Sequence, residues 1–271
     1  MLLENKCVSV LIRTRDIETP LQELLWKLSH QTLQPSELII VDNFSSKKKL
    51  NEMSRFLLLA KEKIFNNKVR VKFVPIKDGE FSYAYSANIG VAVSDCELVC
   101  ITNGHSLPYS NNWLENGVAH FANPKVAGVG GYSTSRGNGT FWEKIAYNWW
   151  SGLNKVSKAY AKDTYFSTIN CILRKSLWEK YPFDEKLPNE IPSAEKFGGE
   201  DYDWSVEMLH RGYRILVEPE LNVYHSHRET LSQLAFKYVT WRRIRKKIRR
   251  LERPRKSYTR LKTAKPFYYN L

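Results

Sequence analysis

Nowhere among its 271 residues does the chain run ~18 apolar residues together, so no segment has the length to cross a bilayer as a helix. The opening MLLENKCVSV, with acidic Glu4 and a very short apolar stretch, reads as neither a signal peptide nor a span. Any membrane contact is therefore expected to be peripheral, on a cytoplasmic protein. Cysteine is scarce as well. Cys7, Cys96, Cys100 and Cys171 form no CxxC pair, which removes zinc-knuckle and dithiol redox motifs, and their apolar surroundings predict buried free thiols. Acidic residues are nearly missing from one end: Lys237 to Leu271 holds 14 Lys/Arg against one acid, leaving 28 basic and 27 acidic residues elsewhere. A nearly neutral body with a basic tail argues that the tail, and not the fold, meets a polyanion.

What is present is an alternation of strand and helix signals. VSVLIR (8–13) reads as a buried strand, and Thr19-Pro20-Leu21-Gln22 has a capping-box pattern opening a helix whose buried face is Leu21, Leu24, Leu25 and Leu28. ELIIVD (37–42) is a second strand, followed by a basic helix over about 47–64 and a third strand near 69–76. A helix near 82–93 leads to the strand ELVCIT (97–102). This order predicts an α/β fold with a mostly parallel central sheet and helices on both faces. Ligands of such sheets bind beyond the carboxyl ends of the strands, which directs attention to Thr14-Arg15-Asp16, Asp42-Asn43 and Asn103-Gly104-His105. Trp142, Trp149 and Trp150, three tryptophans within nine residues, predict a helix that shapes a pocket.

VSVLIRTRD, Gln31-Thr32 and ELIIVDNFSS together resemble the opening of family 2 glycosyltransferases with the GT-A fold. The resemblance makes Asp42 the residue that binds the nucleotide base, with Thr14, Arg15 and Asn88 beside the donor, although Phe44 stands where glycine is usual. FSYAYSANIGVAVSDCELVCITNGHSLP is similar to the family's Asn-x-Gly helix, strand and DXD motif, and it puts Asn103-Gly104-His105 in the DXD place. An amide and an imidazole replace two carboxylates there. They still offer metal ligands, so a divalent cation, Mn2+ or Mg2+, is the expected cofactor, against direct hydrogen bonding of the diphosphate by His105.

GGEDYDWSVEMLHRGYRILVEPELNVYHSH supplies the third resemblance. By it Asp201 of the Glu200-Asp201 pair is the general base that inverts the anomeric centre, and His225, with His227 as alternative, completes the metal or phosphate site. A sugar hydroxyl is far too weakly acidic to ionise near neutral pH, so a carboxylate that takes its proton contributes typically ~10²–10⁴-fold. TINCILRKSLWEKYPFDEKLP resembles the segment that precedes the base. Residues 1–228 are thus expected to form the GT-A domain, with 1–110 holding the nucleotide sugar and 111–228 the acceptor and catalytic groups.

Residues 229–271 are expected as a basic helical tail. Leu231, Leu234, Tyr238, Trp241, Ile244, Ile248 and Leu251 make one apolar stripe, with arginines and lysines on the other faces. Such a helix suits an anionic membrane surface through 231–262, beside a glycan or lipid-linked acceptor; packing onto the catalytic domain or onto a second subunit of a homodimer is equally open. The donor expected is a nucleotide diphosphate sugar, with UDP or dTDP favoured. Two other classes compete: a catalytically inactive GT-A domain kept for binding, and a nucleic-acid-binding protein acting through the tail. The near-neutral body with no nucleic-acid motif argues against the latter.

Overall fold

The computed structural model describes residues 7–152, 160–161, 166–262 and 266–271. Its strands are β1 Val8–Thr14, β2 Glu37–Asn43, β3 Arg70–Ile76, β4 Leu98–Asn103, β5 Leu107–Pro108, β6 Val126–Gly130, β7 Ser133–Thr134, β8 Tyr160–Ala161, β9 Asn170–Arg174, β10 Arg214–Val217, β11 Val223–Tyr224 and β12 Tyr269–Asn270. The helices are α1 Thr19–Ser29, α2 Lys47–Lys63, α3 Tyr83–Val93, α4 Trp113–Ala119, α5 Phe141–Gly152, α6 Lys175–Lys180, α7 Leu187–Glu190, α8 Ala194–Phe197, α9 Glu200–His210 and α10 Leu231–Ile248.

The main sheet has the order β12-β3-β2-β1-β4-β9-β6-β10-β8. β3, β2, β1 and β4 run parallel, β9 lies antiparallel between β4 and β6, and β6 and β10 are parallel again. Alternation along each strand divides the core into two layers. In β1, Val8, Val10 and Ile12 join the layer under α1, α2 and α4, while Leu11 joins the layer under α3, α6 and α9. The expected mostly parallel sheet with helices on both faces is therefore present.

The four leucines of α1 are fully buried, each worth roughly 1.5–3 kcal/mol of transfer free energy. The start of α1 differs from the expected capping box. Thr19 lies inside the helix, and the N-cap is Glu18, whose side chain caps nothing because it is drawn to other partners described below. Gly90 in α3 sits close on β1: a Cβ there would lie 2.3 Å from Leu11 Cδ1, so a larger residue would force the buried Leu11 side chain to move.

Cys7 and Cys96 form a disulfide, against the expectation of four free thiols; Cys100 and Cys171 are free and buried. The physical reason is register: Val8 pairs with Leu98 between adjacent parallel strands, which brings the preceding cysteines to a Cα separation of 5.2 Å.

The tail folds back in part. Ile244 and Ile248 are buried with Leu187, Ile191, Ala194 and Tyr202, and Trp241 and Leu251 pack against them. The first half of the stripe stays uncovered, with Leu231 and Tyr238 exposed. Beyond the helix, Arg253 is held by Asp203 and Glu207, and Arg255 by Asp184 and Glu190. No helix among the described residues is long and apolar enough to cross a membrane.

Candidate active site

The carboxyl ends of β1, β2 and β4 lie side by side, with Thr14 opposite Asp42 and Arg13 opposite Asn103. Asp42 is fully buried; one carboxylate oxygen accepts the Asp16 N–H at 2.7 Å and the other, Oδ2, has no partner. Burial pushes its carboxyl up to about 7, the Asp16 N–H opposing. Asp16 has a left-handed backbone, φ 55°, and its carboxylate accepts from the backbone N–H and hydroxyl of Ser45, which locks the β1 and β2 turns together. Arg15 reaches Asn43 and pairs with Asp78 at the exposed rim.

At the end of β4, Gly104 is tight against β1: its N–H donates to Arg13 O at 2.8 Å and a Cβ would lie 2.7 Å from Thr14 Oγ1. The turn thus places His105 beside Glu18. His105 Nδ1–H donates to Glu18 Oε2 at 2.8 Å, which leaves Nε2, buried and without a partner, as the free lone pair. Burial opposes ionisation of Glu18, yet hydrogen bonds from His105, Arg15 and Thr14 outweigh it and hold the carboxyl below its ordinary value.

β5 and β11 pair in the small sheet β5-β11-β7, and this pairing carries His225 to the same place. His225 Nδ1 lies 2.9 Å from Ser106 Oγ, and its Nε2 lies 2.9 Å from His227 Nε2. One ligating atom from each of His105, His225 and His227 falls within 4.8 Å of the others. Burial, followed by the neighbouring imidazoles His105 and His227, holds His225 well below its ordinary value; His227 is lowered by desolvation, His105 and Lys237. Both shifts favour the uncharged imidazole, the form that can ligate an ion.

Gly198 and Gly199, with φ 72° and 127°, turn the chain into α9. Asp201 follows, half-buried, accepting the Thr168 N–H at 3.0 Å, while Glu200 is buried. Burial and the adjacent Asp201 push Glu200 up to about 7. Arg13 joins the two sides of the site. Its guanidinium donates to Asn103 Oδ1 at 3.1 Å and to Thr168 O at 2.9 Å, so a hydrogen-bonded chain runs Asn103–Arg13–Thr168–Asp201.

Two of these residues, Arg13 and Glu18, escape a reading by motif. Both form their bonds across the fold, and the one local signal is a charged residue ending a buried strand at Arg13. Asn88, expected beside the donor, has its amide engaged within the fold: it donates to Phe183 O and Glu185 Oε1 and accepts from Trp178 and Phe183, so it fastens α3 to the segment before α7. Two of the α5 tryptophans face solvent, where enclosure in a pocket was expected. Trp142 and Trp149 are exposed, and the side chain of Trp150 falls outside the described residues.

A mostly parallel sheet of this order, with Asp42 ending β2, the turn Asn103-Gly104-His105 after β4 and Asp201 at the head of α9, has the GT-A architecture. The chain belongs to glycosyl transferase family 2, whose family model matches residues 9–181. Among solved structures it is similar to the mannosyltransferase PcManGT from Pyrobaculum calidifontis in complex with GDP-Man and Mn2+, at 19% identity and TM-score 0.65, covering 93% of this chain and 67% of that one. It is also similar to residues 1–349 of S. aureus TarS in complex with UDP-GlcNAc, at 17% identity and TM-score 0.58, covering 91% and 68%. No curated protein matches the chain.

Proposed function

We propose that this glycosyltransferase inverts the anomeric carbon of a nucleotide diphosphate sugar, with Asp201 as general base and a hydroxyl of a glycan or lipid-linked glycan as acceptor. The observation that carries the reading is the chain Asn103–Arg13–Thr168–Asp201, which ties the diphosphate side of the site to the base. The acceptor hydroxyl gives its proton to Asp201 as its oxygen bonds to the anomeric carbon, and the bond to the nucleoside diphosphate breaks on the opposite side. Arg13 sets its positive charge beside the Glu200–Asp201 pair and opposes the rise that burial and Asp201 impose on the Glu200 carboxyl. Asp42 accepts an N–H of the nucleobase at its unpartnered Oδ2, with Thr14 and Arg15 flanking the donor. Residues 1–110 hold the donor in this reading and 111–228 the base and acceptor, while 229–271, expected as a tail alone, returns to the sheet at its end, where β12 pairs with β3.

His105, His225 and His227 would hold a divalent cation, and the unpartnered His105 Nε2 fits that role. Such a cation supplies positive charge against the leaving diphosphate. Three imidazoles rank ions differently from a carboxylate pair, which favours Mn2+ or a softer ion such as Zn2+ over Mg2+. The relatives' GDP-Man and UDP-GlcNAc complexes support a nucleotide-sugar donor, and UDP and dTDP remain the first to try.

Thermal stabilisation by UDP, dTDP, GDP and CMP, each with Mn2+, Zn2+, Mg2+ or EDTA, tests this. A nucleotide at a hundred times its dissociation constant adds ~2.7 kcal/mol of stability. Stabilisation by one nucleoside diphosphate that EDTA abolishes is the expected outcome. Stabilisation that survives EDTA would remove the cation and leave His105 as a direct donor, and no response to any nucleotide would overturn the donor site.

A further inference from the structure

α5 and α10 pack beside each other, and together they carry eight of the eighteen large apolar side chains exposed on the described surface. That concentration makes a patch rather than a scatter. Phe141, Trp142, Ile145 and Trp149 form the α5 part, and Phe236 and Val239 begin an outward row of α10. In steps of three and four this row continues as Arg242, Arg243, Lys246 and Arg250, while Ile244 and Ile248 point inward to the core. None of these four cations, nor Lys247, has an acidic partner within 4.0 Å among the described residues. Lys237 and Arg253, at either side, do have them.

Between α8 and α10 the same row borders a hollow of about 510 Å³. Phe197 and Phe236, edge to face at 5.7 Å, line it together with Arg243, Lys246, Lys247 and Arg250. We propose that α5 and the outer row of α10 dock this protein on an anionic lipid surface, the aromatic part entering the interface and the cations meeting headgroup phosphates. The choice of a lipid surface over a soluble polyanion rests on the mixture. A soluble polyanion draws on the cations alone, whereas exposed Trp and Phe beside Lys and Arg match the two halves of a bilayer interface.

The patch is tied to the site. Glu143 of α5, fully buried, accepts the backbone N–H of His227 at 2.9 Å and of Glu229 at 3.0 Å, and the Thr140 hydroxyl donates to Glu229 O at 2.6 Å. Docking therefore holds the imidazole cluster at a fixed place relative to the headgroups. Membrane binding stands independently of the transferase reading, because nucleotide stabilisation and vesicle binding are separate measurements.

The test is flotation of the full chain with vesicles of phosphatidylcholine alone or mixed with phosphatidylglycerol, with inorganic polyphosphate as competitor. Binding to the anionic vesicles only, weakening as salt rises, is expected. Arg243→Gln with Lys247→Gln should lower affinity by about thirtyfold, and Trp142→Ser with Phe236→Ser by at least about tenfold, with melting temperature and nucleotide response unchanged. Failure to bind anionic vesicles would overturn the proposal. So would an apolar double variant that binds as well as the parent while polyphosphate displaces both, which would assign the cations to a soluble polyanion.

Discussion

Arg253 lies sunk against α9, its guanidinium shared between the fully buried carboxylates of Asp203 and Glu207. Arg243, Lys246, Lys247 and Arg250, one helical stretch earlier, line an outward row with no acidic partner among the described residues. Both sets belong to one basic segment and contribute equally to net charge. Their surroundings give them different work. The sunken arginine neutralises the helix that carries Asp201, so it anchors that helix; the outward cations are left for association. Net charge thus locates a basic region without saying which of its charges are free.

Experiments can break or sharpen that contrast. Arg253→Ala removes the cation shared by two buried carboxylates, leaving Arg211 on Glu207 and the Tyr181 hydroxyl with the more distant Arg255 on Asp203, and should cost about 3 kcal/mol in urea unfolding. Arg250→Ala on the outer row should stay within about 0.5 kcal/mol, and equal costs would erase the distinction. Asp201→Asn should lower kcat roughly 10²–10⁴-fold at an unchanged melting temperature, which separates the chemistry of α9 from its anchoring. A smaller effect is expected at Glu18→Gln, which no longer orients His105 as a carboxylate does and should weaken ion affinity by about 10–100-fold in titration calorimetry.

The pH dependence tests the donor side. Asp42 titrates at about 7 in the folded protein, well above the ordinary carboxyl range. The stability it contributes is full below about 4 and is lost as pH rises through about 7. A nucleobase N–H favours the ionised carboxylate, so nucleotide affinity should fall as pH drops below about 7, by at most about tenfold per unit. Asp42→Asn should flatten that part of the profile in binding measured from pH to pH.

The sheet was legible because β1, β2 and β4 are apolar runs that end in polar turns, and a period of two needs no knowledge of partners. The places of His105, His225 and Asp201 in the fold were legible because each follows a strand or opens a helix. Arg13 and Glu18 were not. Their roles depend on Asn103, Thr168 and His105, brought near by parallel pairing that no local pattern encodes. The same holds for Cys7 and Cys96, joined across a sequence separation of 89. Asn88 lay in a matching motif, yet its neighbours Trp178 and Phe183 take up its amide. The tryptophans of α5 read as pocket-forming because three large rings on one helix suggest enclosure, and the fold turns two of them outward.

The two-rung ladder of β5 and β11 has one more consequence. Leu107 pairs with Tyr224 and Pro108 with Val223, so the imidazoles at His105 and His225 stand just outside a shared main-chain frame. The ladder works as a caliper. Residues 106 and 225, 119 apart along the chain, are fixed at 2.9 Å before any ligand arrives. The entropy of closing that loop is met once, during folding, and none of a ligand's binding free energy goes into gathering the cluster. The gauge has a fault line too: a slip of one residue in this register would turn the imidazole of His225 to the opposite face.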